Sequence, residues 1–207
     1  RRDGMGTTLL SAVEVIGRIP DAYFQAVGSG TGTIAVWENN LRLIEDGRFG
    51  THKMRLYPSQ NAPFSIMYDS WKADSRPLVH LSAEDARHQA AAIKAKVLSN
   101  RKPPYSIAGG LFDAMKDSGG DMYLITNEEI AEWKERFMEL EGVDIYSAAS
   151  VAVASLAKAV KEGAVKKDEV IMLNITGGGE DLTKEHHDVV YAKPDMVIDT
   201  YLPAEEI

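Results

Sequence analysis

The 207-residue sequence contains no cysteine, so neither disulfides nor thiolate metal sites hold the fold, a composition compatible with a reducing compartment. It has no apolar run long enough to span a bilayer, and no block of lysines or arginines. With 23 basic against 31 acidic residues the net charge is −8, so neither nucleic acid nor a membrane is an expected partner. Internal repeats and low-complexity segments are also missing. What remains, 44% hydrophobic and 26% charged residues, belongs to an ordinary globular chain and excludes disordered or collagen-like classes.

Periodicity organises the chain. Leu9, Leu10, Val13 and Ile16, followed by Gly17 and Pro20, predict a helix from about Thr7. Tyr23 to Val27 reads as a strand, and Ile34, Val36, Trp37, Leu41 and Ile44 as a helix ending at Gly47. "HKMRLYP" is the next strand, expected to stop at Pro58. Ser82 with Asp85 caps a helix running through "ARHQAAAIKAKVL", and "GGLFDAMKDSGG" predicts a short helix ahead of strand "MYLIT". Thr126 and Glu129 cap a further helix that Gly142 ends, and "SAASVAVASLAKAV" predicts a helix buried on most sides. "EVIMLNI" reads as an inner strand covered on both faces. The alternation predicts an α/β fold with a parallel or mostly parallel sheet flanked by helices.

The stretch "YFQAVGSGTGTIAVWE" sets three glycines, Gly28, Gly30 and Gly32, with Ser29 and Thr31 between a strand and a helix. Free amides and the positive helix end suit a phosphate there. A nucleotide P-loop needs Lys and a hydroxyl after the last glycine, and Thr33-Ile34-Ala35 follow instead. A dinucleotide fingerprint can be fitted through Gly30, Gly32 and Ala35, but it needs a carboxylate at the end of the next strand, where Pro58, Ser59 and Gln60 stand. A non-catalytic NAD-binding module is therefore the alternative. The reading preferred is a monophosphate anchor, as pyridoxal phosphate requires, against a plain ligand-free turn. A second glycine cluster, "IMLNITGGGE", follows a strand ending in Thr176. Alone it reads as a turn.

Together with "RRDGMGT" and "SQNAPF", these two stretches resemble the fold type II pyridoxal phosphate enzymes, the tryptophan synthase β-like family, in its archaeal threonine synthase and cysteate synthase branch. The likeness covers nearly the whole chain. It implies pyridoxal 5'-phosphate as cofactor, its phosphate cupped by Gly28, Ser29, Gly30, Thr31 and Gly32, with Thr176 at the pyridine nitrogen. It also implies elimination and replacement on a phosphorylated amino acid, by a cytoplasmic enzyme whose partners are a small amino-acid substrate and further copies of the full-length chain. The texture of "RRDGMGTTLL" and "KMRLYPSQNAPFSIMYDSW" leans to the cysteate synthase side.

Family members carry the cofactor on a Schiff-base lysine in their N-terminal half, and no such segment occurs here. Lys53, Lys72 and Lys116 read as solvated. Residues 1–207 are therefore expected to be the C-terminal cofactor-binding portion of a longer enzyme, inactive alone and without a catalytic residue of its own. No metal is expected: His186 and His187 are adjacent, and His80 and His88 read as surface. Arg1, Arg2 and Asp3 face either the active site or solvent. Gln60 and Asn61 either touch ligand or enter a loop, and Glu132 with Arg136 reads as a solvated i,i+4 pair.

Overall fold

The computed structural model describes residues 2–197. Four parallel strands, β1 (Ala22–Ala26), β2 (Arg55–Asn61), β3 (Tyr123–Ile125) and β4 (Ile171–Leu173), form one sheet in the order β3-β2-β1-β4. The helices are α1 (Arg2–Ile16), α2 (Thr31–Asp46), α3 (Ile66–Lys72), α4 (Ala83–Ala92), α5 (Leu111–Ser118), α6 (Asn127–Glu141), α7 (Ser147–Lys161) and α8 (Glu180–His186), with a 3₁₀ turn at Lys96–Leu98.

Alternate residues of β1 serve opposite layers, as the two-residue strand period requires. Ala22, Phe24 and Ala26 pack with Tyr57, Ile125 and the Val151, Ala152 and Ala154 face of α7. Tyr23 turns the other way, toward Leu9 and Val13 of α1 and Val36 and Leu43 of α2. The Phe24 and Tyr57 rings stack at 4.7 Å. Each such fully buried large side chain contributes roughly 1.5–3 kcal/mol. Helix α7 is buried over most of its surface because it is built from Ala, Ser and Val, and Ser150 Oγ satisfies itself on the Ile130 carbonyl at 2.7 Å.

Several boundaries differ from the sequence expectation. Helix α1 begins at Arg2, with Gly4 and Gly6 inside it. Gly6 is there because α2 comes so close that a Cβ would strike the Asn39 side chain. Strand β2 passes through Pro58 and ends at Asn61. Arg55 N donates to Asp21 O and Val27 N to Ser59 O, so odd-numbered residues of β2 turn their main chain to β1 and even ones to β3. Pairing with β3 starts only at Ser59, so the missing Pro58 N–H falls ahead of that ladder. Helix α4 stops at Ala92 instead of running to Leu98, because two asparagines seize the chain beyond it. Strand β4 is half-buried and, among the described residues, pairs only with β1. The prediction of an inner strand covered on both faces does not hold for these residues.

The winding order positions the site. From β1 the chain lays β2 and β3 outward on one side, then returns to place β4 on the other. The sheet therefore reverses its winding between β1 and β4. In open parallel sheets that reversal leaves a crevice at the strands' carboxyl ends, where ligands bind.

Candidate functional site

Both glycine clusters leave the sheet at this crevice. Phe24 pairs with Leu173, and the ladder continues one step as Asn174 N donates to Phe24 O at 2.9 Å. Asn174 Nδ2 also donates to the Tyr23 hydroxyl at 2.9 Å, whose pKa burial drives up. The chain leaves that ladder after Asn174, and Thr176 follows two residues further on.

After β1, Val27 N is still held by Ser59 O at 2.9 Å, and the chain then turns into α2 through Gly30. Gly30 adopts φ 77°, ψ 0°, a left-handed conformation that costs a residue with a Cβ roughly 1–2 kcal/mol. Ser29 Oγ and Thr31 Oγ1 bond to each other at 2.9 Å, and Thr31 N leans on Ser29 Oγ at 3.4 Å. Among the described residues the amides of Gly28, Ser29, Gly30 and Gly32 have no acceptor. Side chains are excluded along the same loop. A Cβ on Gly28 would meet Val97 O, one on Gly30 the Leu111 side chain and one on Gly32 that of Gln25, each within 2.8 Å. Unspent amides at the positive end of a 16-residue helix, on backbone stripped of side chains, fit a phosphate monoester.

The second cluster is more than a turn. Gly178 pairs antiparallel with Ile145, and a Cβ on it would stand 2.0 Å from Asp144 O. Tyr146 N donates to Gly177 O and Gly179 N to Asp144 O, both at 3.0 Å. Asp144 Oδ2 accepts from Asp181 N at 2.9 Å, and Lys134 bridges Asp144 and Asp181. Burial pushes the Asp144 carboxyl up, but the Asp181 amide and the Lys134 ammonium outweigh it and hold the group below the usual carboxylate range. These bonds fix the segment after Thr176 to the start of α7.

At the carboxyl end of β1 lies a cleft of about 580 Å³ whose walls include Ala26, Ala95, Leu98, Tyr146, Ser147 and Thr176. Its outer wall is the strap Lys94–Leu98, which also abuts Gly28 through Val97 O and Leu98 Cα. Sequence reasoning missed this strap, since its residues continue the helical pattern of α4. Asn61 and Asn127 make it. Ala95 N donates to Asn61 Oδ1 at 3.0 Å, Lys94 N to Asn127 Oδ1 at 2.8 Å, and Asn127 Nδ2 to Ala92 O at 2.9 Å.

The other candidates take structural or surface places. Gln60 Oε1 accepts from Met67 N and Tyr68 N and so caps α3. Lys53, Lys72 and Lys116 pair with Asp117, Asp121 and Asp74. Arg2, at the start of α1, pairs with Glu38 at 2.9 Å, and Arg1 lies outside the described residues. Arg136 pairs with Glu139, not with Glu132. His80, His88, His186 and His187 are exposed, and no acidic or histidine cluster among the described residues would hold a metal. No helix among them is long and apolar enough to cross a membrane. The end of β2 carries no carboxylate for a ribose.

Residues 1–177 match the family model described as pyridoxal-phosphate dependent enzyme. The chain is 50% identical over 199 residues to the cysteate synthase of Methanosarcina mazei, covering 96% of this chain and 48% of that protein. To the cysteate synthase of Methanosarcina acetivorans it is 46% identical over 209 residues, covering 100% of this chain and 50% of that one. The chain thus spans about half the length of the curated relatives it matches. Among solved structures, a fungal L-serine ammonia-lyase from Rhizomucor miehei superposes with a TM-score of 0.65 at 13% identity, over 86% of this chain and 51% of that one. That likeness extends to the fold.

Proposed function

Because the chain belongs to the pyridoxal-phosphate dependent enzyme family, we propose that it forms the C-terminal part of a cysteate synthase, which exchanges the phosphate of O-phosphoserine for sulfite and releases cysteate and phosphate. The observation that carries this reading is the junction of β1 and β4, where a phosphate-shaped glycine loop and Thr176 leave adjacent strands toward one crevice. The identity to cysteate synthases supports the choice of substrate class.

In this reading the amides of Gly28, Ser29, Gly30 and Gly32, with the hydroxyls of Ser29 and Thr31, hold the cofactor phosphate. Thr176 Oγ1 would donate a hydrogen bond to the ring nitrogen. When bound, pyridoxal phosphate supplies an electron sink at the substrate's Cα, milder with a neutral ring nitrogen than with a protonated one. A hydroxyl suits the neutral form, because it keeps its own proton where a carboxylate would draw a second one onto the ring. In this reading the lysine that carries the cofactor belongs to the half of the relatives' length that this chain does not span.

The test is to express the complete gene product, record the visible absorption of bound pyridoxal phosphate, and assay O-phosphoserine with sulfite against O-phosphohomoserine alone. The reading expects the band and the first activity. Turnover of O-phosphohomoserine in its place would reassign the enzyme to threonine synthesis. Absence of the band with tight NAD binding would remove the reading altogether. Thr176→Ser should keep the band position and Thr176→Val should shift it, with the melting temperature of each within a few degrees of the parent.

A further inference from the structure

Lys94 and Ser147 both line the cleft beside Thr176, and neither the Lys94 ammonium nor the Ser147 hydroxyl has a bonded partner among the described residues. Two lysines border the cleft, Lys94 and Lys96. The Lys96 ammonium donates to the carbonyls of Ala90 and Ala91 in the last turn of α4. The acidic side chain on the same wall, Glu180, is taken by Lys184 at 2.6 Å. Lys94 differs from both. Its main chain is fixed through Asn127 Oδ1, while among the described residues no carboxylate or carbonyl receives its ammonium. On its other side it borders a smaller cleft whose Asp144 and Asp181 are already bridged by Lys134. The Ser147 hydroxyl, at the first position of α7, also bonds no group among the described residues. A cation on a hydrogen-bonded strap and a free hydroxyl, both lining the cleft that Thr176 lines, have the makeup of an oxyanion receptor.

We infer that Lys94, assisted by Ser147, binds the charged oxygen group of the substrates, either the phosphate of the phosphorylated amino acid or the incoming sulfite. The inference rests on the function proposed above and adds the residues that select for an anion. An uncharged amino acid leaves the Lys94 ammonium without a partner, so the pair favours a substrate bearing a dianionic oxygen group.

The experiment uses the complete holoenzyme and its Lys94→Ala, Lys94→Arg and Ser147→Ala variants. The KM for O-phosphoserine and for sulfite is measured separately from kcat, together with competitive inhibition by inorganic phosphate. The shift of the cofactor band on adding phosphate without turnover is a second readout. Lys94→Ala should raise one KM, or the phosphate inhibition constant, about tenfold, the effect of losing one charge-assisted hydrogen bond. Lys94→Arg should stay within about threefold of the parent and Ser147→Ala should fall between. A rise confined to O-phosphoserine makes the occupant the leaving phosphate, and one confined to sulfite makes it the nucleophile. An unaltered cofactor band in Lys94→Ala shows that the variant is folded and loaded. If that variant then keeps the parent's constants and phosphate response, the inference fails while the function stands. A parent enzyme without band or activity overturns both.

Discussion

Gly28 lies against the main chain of Val97: a carbon at its Cβ position would stand 2.7 Å from the Val97 carbonyl oxygen and 3.5 Å from Leu98 Cα. The phosphate-type loop and the strap that walls the cleft therefore share one contact, and neither can shift without the other. Since the neighbour is backbone, it cannot swing aside as a side chain would. Gly28→Ala should cost about 1–3 kcal/mol by overpacking and should weaken uptake of pyridoxal phosphate by the complete protein. Thermal denaturation and a cofactor titration read the two effects separately.

The strap depends in turn on Asn61. Its Nδ2 donates to the carbonyls of Ile125 and Ala62 at 3.0 Å, and its Oδ1 accepts from Ala95 N at 3.0 Å. Asn61→Asp would set an oxygen against two carbonyls, and Asn61→Ala would leave Ala95 N and Ala62 O without their partner while Ile125 O keeps only the Ala62 amide. Either should lower stability by about 2–4 kcal/mol, measured as a shift in denaturation midpoint. Hydrogen exchange should accelerate first at Ala95, before the sheet opens. Protection of Ala95 unchanged from the parent would contradict the anchoring role.

How far the sequence discloses the molecule follows from the range of the forces involved. Local signals are readable: Thr126 and Glu129 form the expected capping box, Ser82 accepts from Asp85 N, and Gly47 and Gly142 end their helices in left-handed conformations. The parallel sheet with helices on both faces is likewise as the alternation of elements predicts. Contacts between distant segments are not readable. Nothing in "AAIKAKVL" announces that Asn61 and Asn127 will unwind it after Ala92. Nor does Gly6 disclose Asn39, or Gly178 disclose Asp144. The two glycine clusters could be named from sequence, but that they flank a winding reversal depends on β4 pairing with β1 over a separation of about 150 residues.

Two glycines of one helix give a paired test of this distinction. Gly4 has open space around its Cβ position, whereas Gly6 would drive a Cβ into the Asn39 side chain. Asn39 is itself occupied, its Nδ2 donating to Ala35 O at 2.9 Å. Gly4→Ala should therefore stabilise by roughly 0.5–1 kcal/mol through helix propensity alone. Gly6→Ala should destabilise by about 1–3 kcal/mol as α1 is forced away from α2. Opposite signs in one melting experiment are the expected result. Two stabilised variants would mean that α1 and α2 do not pack as closely as described.

The capping box of α6 carries a pH dependence whose sign can be worked out. Burial pushes the Glu129 carboxyl up. The Thr126 amide at 2.8 Å and the Lys158 ammonium at 3.1 Å together outweigh it, so its pKa falls below the ordinary glutamate value of 4.5. A carboxyl that gives up its proton more readily when folded adds stability above 4.5 and loses that addition as the pH drops through the depressed folded value. Glu129→Gln keeps an oxygen for the Thr126 amide but removes the charge. Its melting temperature should lie below the parent's at neutral pH, with the gap closing in acid. Glu129→Ala also loses the cap, about 1 kcal/mol, so its deficit should persist at low pH as well. A Glu129→Gln gap that stays constant from neutral pH to below 4 would contradict the assigned direction of the shift.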